Sequence, residues 1–485
     1  MRSVRASKCV LALVAMCLLL ICHAILDPPT MRAQVGYWAA TYGGRSGESA
    51  WSINPTADGG CAVAGWSYSF AQGDDDFWVL KLSQDGAVQW QKSYGGYDDD
   101  AADLIYPTSD GGYIVTGYSA SFGGLDAWVL KLDQNGNIQW QKAYGGRDED
   151  ETVSVQETLD GGYVLAGETT SFGAGNWDVW ILKLTASGAI QWQKTYGGRG
   201  TEKCSADPIV QTSDGGYVVT GYTASFGAGH SDVWVLKLDE NGAVQWQKTY
   251  GGAGYEEAHA MRQTLDGGYV VAGFTDSFGS DDDWDVWILK LDPHGAVMWQ
   301  KTFGGPGNDV TWSVHQTSDG GCIVAGSTES FGAGQRDAWL LKLSENGAVQ
   351  WQKTYGGQGR EEGESVRQTD DGGYWVGGGT QSFGAGLYDF WVLRLDPQGS
   401  IPGCALGVNS NATGQNTTVV GVSCSATVSN SGASARDTHV SAVNSAATVR
   451  VQCVYQPTLT PTVTLTPTRT PTPVYRIYLP MIRKQ

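Results

Sequence analysis

Histidine and methionine are scarce, six of each in 485 residues, and 31 lysines and arginines face 50 acids. The resulting net charge of −19 argues against nucleic acid as a partner, because binding it requires neutralising phosphates. It suits an extracellular protein able to hold cations. Long apolar runs are missing too, except at the start. Arg2, Arg5 and Lys8 precede an apolar stretch from Cys9 to Cys22, and Cys22-His23-Ala24 offers a cleavage site. Residues 1–24 therefore read as a secretory signal peptide. The stretch is too short for a membrane span, and neither Cys17 nor Cys22 follows the small residue that a lipid anchor would want. Losing this segment removes three of the nine cysteines and leaves 28 basic residues against 50 acids, a balance of −22. No HExxH or Cys-x-x-Cys pattern occurs, so the usual zinc signatures are excluded. No Gly-x-Ser-x-Gly elbow occurs either.

What is abundant is Gly (68) and Trp (20), a composition of many short strands joined by tight turns. It is also periodic, which is the property to test first. The heptapeptide Trp-Gln-Lys-Thr-Tyr-Gly-Gly or a close variant starts at Trp90, Trp140, Trp192, Trp246, Trp299 and Trp351, with a worn copy, Trp-Ala-Ala-Thr-Tyr-Gly-Gly, at Trp38. The steps are 50 to 54 residues. A second motif keeps the same beat, a Trp followed by two aliphatics, Lys or Arg, and Leu, at Trp78, Trp128, Trp180, Trp234, Trp287, Trp339 and Trp391. Asp-Gly-Gly is the third, from Asp58 to Asp371.

Each unit holds four strand-like runs, taken in one unit as Glu256–Thr264, Gly268–Thr275, Asp285–Asp292 and Ala296–Phe303. Val, Ile, Tyr, Trp and Thr fill them and turn residues bound them. Asp-Gly-Gly joins the first two, since Gly tolerates positive φ. In Asp285–Leu291, apolar residues lie on both faces, so the sheet is covered on both sides. A covered four-stranded sheet repeated seven times predicts an all-β fold, a seven-bladed β-propeller over residues 36–401. The last unit lacks its own fourth strand and the copy at Trp38 is surplus, so the N-terminal strand is expected to pair with Asp389–Leu395 and close the ring. That leaves no open edge.

The unit resembles the bacterial β-propeller repeat family of secreted and surface proteins (SBBP type). The resemblance rests on Thr249-Tyr250-Gly251-Gly252, Glu256, Asp266-Gly267-Gly268, Tyr269–Thr275 and Asp285–Leu291, and recurs in every unit. It implies an extracellular propeller and no established chemistry. The Asp-x-Asn-Gly-x-x-x-Trp run ending at Trp246 also resembles the Trp motif of quinoprotein propellers, one residue shorter between Asp and Gly. The adjacent cysteines of such dehydrogenases are missing.

Beyond the repeats, residues 402–456 turn rich in Ser and Thr and carry Cys404, Cys424 and Cys453. Alternation there predicts a small β module or a wrapped extension, with one disulfide and one cysteine left over. Residues 457–473 are a Thr/Pro linker and 474–485 a tail.

Three sets of residues carry the candidate chemistry. Three to five residues after each Gly-Gly stands a carboxylate: Glu48, Asp100, Asp150, Glu202, Glu256, Asp309 and Glu361. As the opening of each innermost strand, they are expected to circle one mouth of the central channel. They either hold a cation such as Ca²⁺, or cap their own loops and pair with repeat lysines such as Lys248 or Lys290. The Asp two before each strand-three Trp reads as a loop ligand. Function is sought where the repeats disagree. Three residues after the ring acid come Trp51, Asp103, Val153, His259, Trp312 and Glu364, a set that could stack and hydrogen-bond a sugar or merely pack between blades. The acidic loops Asp74–Asp76 and Asp281–Asp283 are further Ca²⁺ candidates, or simply solvated. The expectation is a monomeric, secreted or surface-held scaffold that binds glycan or protein without catalysis, needing no cofactor. The alternative is an extracellular polysaccharide hydrolase or lyase with Asp103, His259 or Glu364 as acid/base groups.

Overall fold

The computed structural model describes residues 36–404 apart from 280–282, then 406–410, 412 and the strands named below as far as Tyr455. The predicted signal peptide, linker and tail, Cys424 and part of the second acidic loop lie outside the described residues.

Seven antiparallel sheets and no helix make up those residues. Blade 5 contains Glu256–Gln263, Tyr269–Thr275, Asp285–Leu291 and Val297–Phe303, paired in chain order. First strands of neighbouring blades touch one another around the axis. The third strand is buried along its whole length: Trp287, Leu289 and Leu291 pack toward blade 4, while Val286 and Ile288 pack toward blade 6. The protein is a seven-bladed β-propeller. Its N-terminal strand, Tyr37–Gly43, pairs antiparallel with Asp389–Leu395, in register from Trp38 opposite Arg394 to Tyr42 opposite Phe390.

The turn chemistry shows how the repeats hold. Gly267 of the Asp-Gly-Gly turn has φ +82°, open to glycine at little cost. Asp266 accepts from the Gly268 N–H at 3.0 Å and pairs with the buried Lys290 at 2.8 Å. The equivalent pair recurs in every blade, ending with Arg394–Asp371. The repeat lysine of strand three thus serves the hairpin turn and not the ring acid expected as its partner.

The heptapeptide recurs because it staples blades together. Trp38, Trp90, Trp140 and Trp299 donate through Nε1 to a turn carbonyl of the next blade. The Tyr hydroxyl of the same motif donates to a glycine carbonyl in that turn, as in Tyr42 to Gly86 (2.7 Å) and Tyr250 to Gly295 (2.6 Å). The first Gly of the motif has no room for a side chain: a Cβ on Gly251 would meet the Asp232 and Glu256 carboxylates.

Residues 402–456 build no sheet of their own among the described residues. Instead they lay a fifth strand on every blade: Gly407–Asn409 on blade 6, Gln415–Asn416 on blade 5, Val422–Ser423 on blade 4, Thr427–Asn430 on blade 3, Ser434–Asp437 on blade 2, Val443–Asn444 on blade 1 and Thr448–Tyr455 on blade 7. The segment makes one circuit of the rim, and a Cys404–Cys453 disulfide joins its two ends. The last of these strands runs along the N-terminal strand, Tyr37 opposite Tyr455 and Gly43 opposite Thr448. Ala39 and Ala40 of that strand are buried in the core clusters on its two faces, whereas the Gln and Lys of most other copies are partly exposed. Trp38, Tyr42 and both glycines of the worn heptapeptide are retained, and the first two make the staple.

Candidate functional site

Each ring acid opens the first strand of its blade, and each is buried. Glu256 accepts from the Gly252 N–H at 2.6 Å and from Thr275 Oγ1 at 2.9 Å. Glu48, Glu202 and Glu361 accept likewise from the second glycine of the preceding Gly-Gly, as do Asp100, Asp150 and Asp309. Burial pushes the carboxyls of Glu48, Asp100, Asp150, Glu256 and Asp309 up. Each acid therefore ties two loops of its own blade together. Among the described residues no three His, Cys, Asp or Glu side chains are grouped to hold a metal ion. In blades 3, 4, 6 and 7 the Asp two before the strand-three Trp caps the adjacent Gly-rich loop: Asp178 accepts from Ala174 and Gly175 N–H, both at 3.0 Å, and Asp232, Asp337 and Asp389 do likewise. In the first acidic loop Asp76 accepts from the Gln72 N–H at 3.1 Å. The Ser-Phe-Gly phenylalanines pack on their own blade's Trp, as Phe331 on Trp339 at 5.5 Å.

The variable set behaves differently. Trp51, Asp103, Trp312 and Glu364, from blades 1, 2, 6 and 7, line one chamber of about 320 Å³ in the central channel. Two polar atoms in it are buried without a hydrogen-bond partner among the described residues, Asp103 Oδ2 and Trp312 Nε1. Burial, then the charges of Glu151 and Glu168, push the Asp103 carboxyl well above the usual range. Burial and the neighbouring Glu362 do the same to Glu364, because both disfavour the charged form. His259 does not line the chamber. It is 3 % exposed, stacks on Trp312 at 4.5 Å with 7° between the rings, and places Nδ1 2.8 Å from the Thr311 carbonyl oxygen. It backs the indole and fixes its orientation. Val153 is a core residue.

The chamber's floor is a group that reading the repeats missed. Asp207 of blade 4 pairs with Arg262 of blade 5 and with Arg367 of blade 7, the latter at 2.9 Å. Arg367 also donates to Asn54 Oδ1 of blade 1 at 3.0 Å. The first strand of blade 4 is broken into Glu202–Lys203 and Ile209–Gln211. Between them Ala206 has φ +52°, and Asp207 pairs through its backbone with the first strand of blade 5. This bulge carries Asp207 into the channel. Its signal was a count: ring acid and Asp-Gly-Gly stand ten residues apart in six units, but twelve apart in the fourth, from Glu202 to Asp214.

Fold and site together define a β-propeller whose channel is divided by an ionic bridge. A scan of protein-family models finds no match to the chain, and a search of curated proteins finds none either. Solved structures share the architecture at low similarity. Sqt1 from Chaetomium thermophilum is 13% identical with a TM-score of 0.40, over 78% of this chain and 88% of that one. Drosophila Plexin A in complex with Semaphorin 1b is 9% identical with a TM-score of 0.41, over 75% and 87%. Puromycin hydrolase is 14% identical with a TM-score of 0.42, over 69% and 50%.

Proposed function

We propose that this protein is a secreted or surface-held binding scaffold whose upper channel chamber takes a sugar end-group of a glycan. The observation that carries this reading is the chamber itself. It is formed where the repeats differ, with the indoles of Trp51 and Trp312 beside the buried carboxyls of Asp103 and Glu364. Aromatic faces stack on sugar rings, while unpartnered donors and acceptors take their hydroxyls. Its volume lies at the small end of ligand sites, roughly 300–1,000 Å³. The predicted signal peptide and the Cys404–Cys453 disulfide support an oxidising, extracellular setting, as does the resemblance to the secreted repeat family. A glycan array probed with the mature chain, with and without Ca²⁺, tests the reading. Trp312→Ala should abolish the signal; an array on which no glycan binds the intact protein would overturn it in favour of a protein partner.

A second reading has one observation in its favour. Two buried carboxyls pushed above their ordinary range share one chamber, the direction of shift a general acid needs, and this supports polysaccharide hydrolysis. Release of reducing ends by the wild-type protein, lost in Asp103→Asn, would establish it.

A further inference from the structure

Below the ionic bridge the channel opens into a second chamber of about 230 Å³, lined by Asn54, Gln156, Arg262, His315 and Arg367 among others. Its charge is opposite to that of the chamber above. Asp207 is the one acid in its lining, and it faces two guanidinium groups. One buried positive charge is left over, which is costly unless an anion offsets it. This is a local feature and not a reflection of the chain, whose net charge is −19.

The donors are also only partly spent. Arg262 uses Nη1 on the Met261 carbonyl and Nη2 on Asp207, leaving further N–H donors of its guanidinium. His315 Nδ1 is buried with no hydrogen-bond partner among the described residues. We propose that the lower chamber binds one small oxyanion, a carboxylate, sulfate or phosphate group, held between Arg262, Arg367 and His315. Guanidinium groups suit such ligands because their planar forks match two oxygens at once. The electrostatics of the chamber agree. Burial and then the Arg262 charge bring Arg367 down to about 10; burial and then both arginines hold His315 at about 3. An anion would relieve each. The two-residue insertion of blade 4 is what makes the site, since it supplies the carboxylate that allows two arginines to meet.

This proposal concerns a different chamber from the glycan reading and stands or falls separately. The test is calorimetric titration of the mature chain with sodium phosphate, sulfate, acetate and glucuronate at matched ionic strength, with chloride as control. The expected result is saturable one-site binding of at least one of the four. The affinity should fall at least about tenfold in Arg262→Gln and in His315→Leu; the second variant leaves the ionic bridge intact should the first fail to fold. Binding confined to phosphate and sulfate would assign a tetrahedral oxyanion, and binding confined to acetate and glucuronate a planar carboxylate. No saturable heat with any of the four, or undiminished binding by His315→Leu, would overturn the proposal.

Discussion

Arg367 in the first strand of blade 7 donates to Asp207 of blade 4 at 2.9 Å, joining blades that are not neighbours in the ring. Most other contacts in the propeller run along a blade or to the next one. This contact crosses the axis and sets where the channel is blocked.

Removing the carboxylate should therefore be expensive. Asp207→Asn keeps the shape but strands Arg262 and Arg367 as buried cations, a change that costs about 3–5 kcal/mol in comparable settings. Urea denaturation would read it as a lower midpoint. Burial alone would raise the Asp207 carboxyl, but Arg262 and Arg367 hold it below its ordinary value. Its contribution is accordingly present above the unfolded carboxylate range and lost as pH falls through the lower folded value. A midpoint unchanged by the substitution would contradict the bridge.

The rim strand and its disulfide should stabilise by restricting the unfolded chain. Cys404 and Cys453 lie 49 residues apart, a loop whose closure is worth up to about 4 kcal/mol. Reduction, or Cys404→Ser, should lower the melting temperature and make the rim strands exchange amide hydrogens faster while the inner strands stay protected. Equal protection in both forms would show that the strands hold without the link.

For the ring acids, Glu256→Gln retains one acceptor oxygen for the Gly252 N–H or Thr275 hydroxyl. The expected loss is about 1 kcal/mol or less. Differential scanning calorimetry in EDTA and then in excess Ca²⁺ should give the same melting temperature for wild type. A rise with Ca²⁺ that vanishes in the variant would instead establish a cation site, since a ligand bound only to the folded state stabilises it.

Stability should peak on the acidic side of neutrality. Burial pushes Asp76 and Glu168 up to about 7. For such raised acids the stabilising contribution is complete below the unfolded value and is lost as pH rises through about 7. The turn aspartates behave oppositely. Burial would raise Asp58, but its hydrogen bonds with Lys81 and Thr56 hold it at about 2. Its contribution is present above the ordinary carboxylate value and is lost as pH falls toward 2. The protein should melt higher near about pH 5.5 than near about pH 8. A monotonic rise of melting temperature with pH would contradict these assignments.

Much of this architecture was legible in the chain. Seven copies of three motifs, apolar residues on both faces of Asp285–Leu291 and the surplus Trp38 copy were enough for the blade number and for the closing strand. The candidate chamber was half legible. Trp51, Asp103, Trp312 and Glu364 stood out as disagreements within a repeat and do share a cavity. His259 stood out equally but serves as backing for Trp312. The pairing of Lys290 was assigned to the wrong acid, because in a hairpin the turn aspartate Asp266 lies nearer to strand three than the ring acid does.

By itself the sequence determined what local physics can specify: alternation, turn residues and a fixed period dictate strands, hairpins and their number. Only the tertiary structure decided the rest. Asp207 meets Arg367 because closing a ring brings together residues 160 positions apart, and no local pattern encodes that distance. The rim strands pair with the blades through backbone N–H and C=O groups, which every residue but proline carries. Such pairing leaves little trace in side chains, so the same rim strand runs past Ala40 of the closing strand and past the lysine at that position in the other blades.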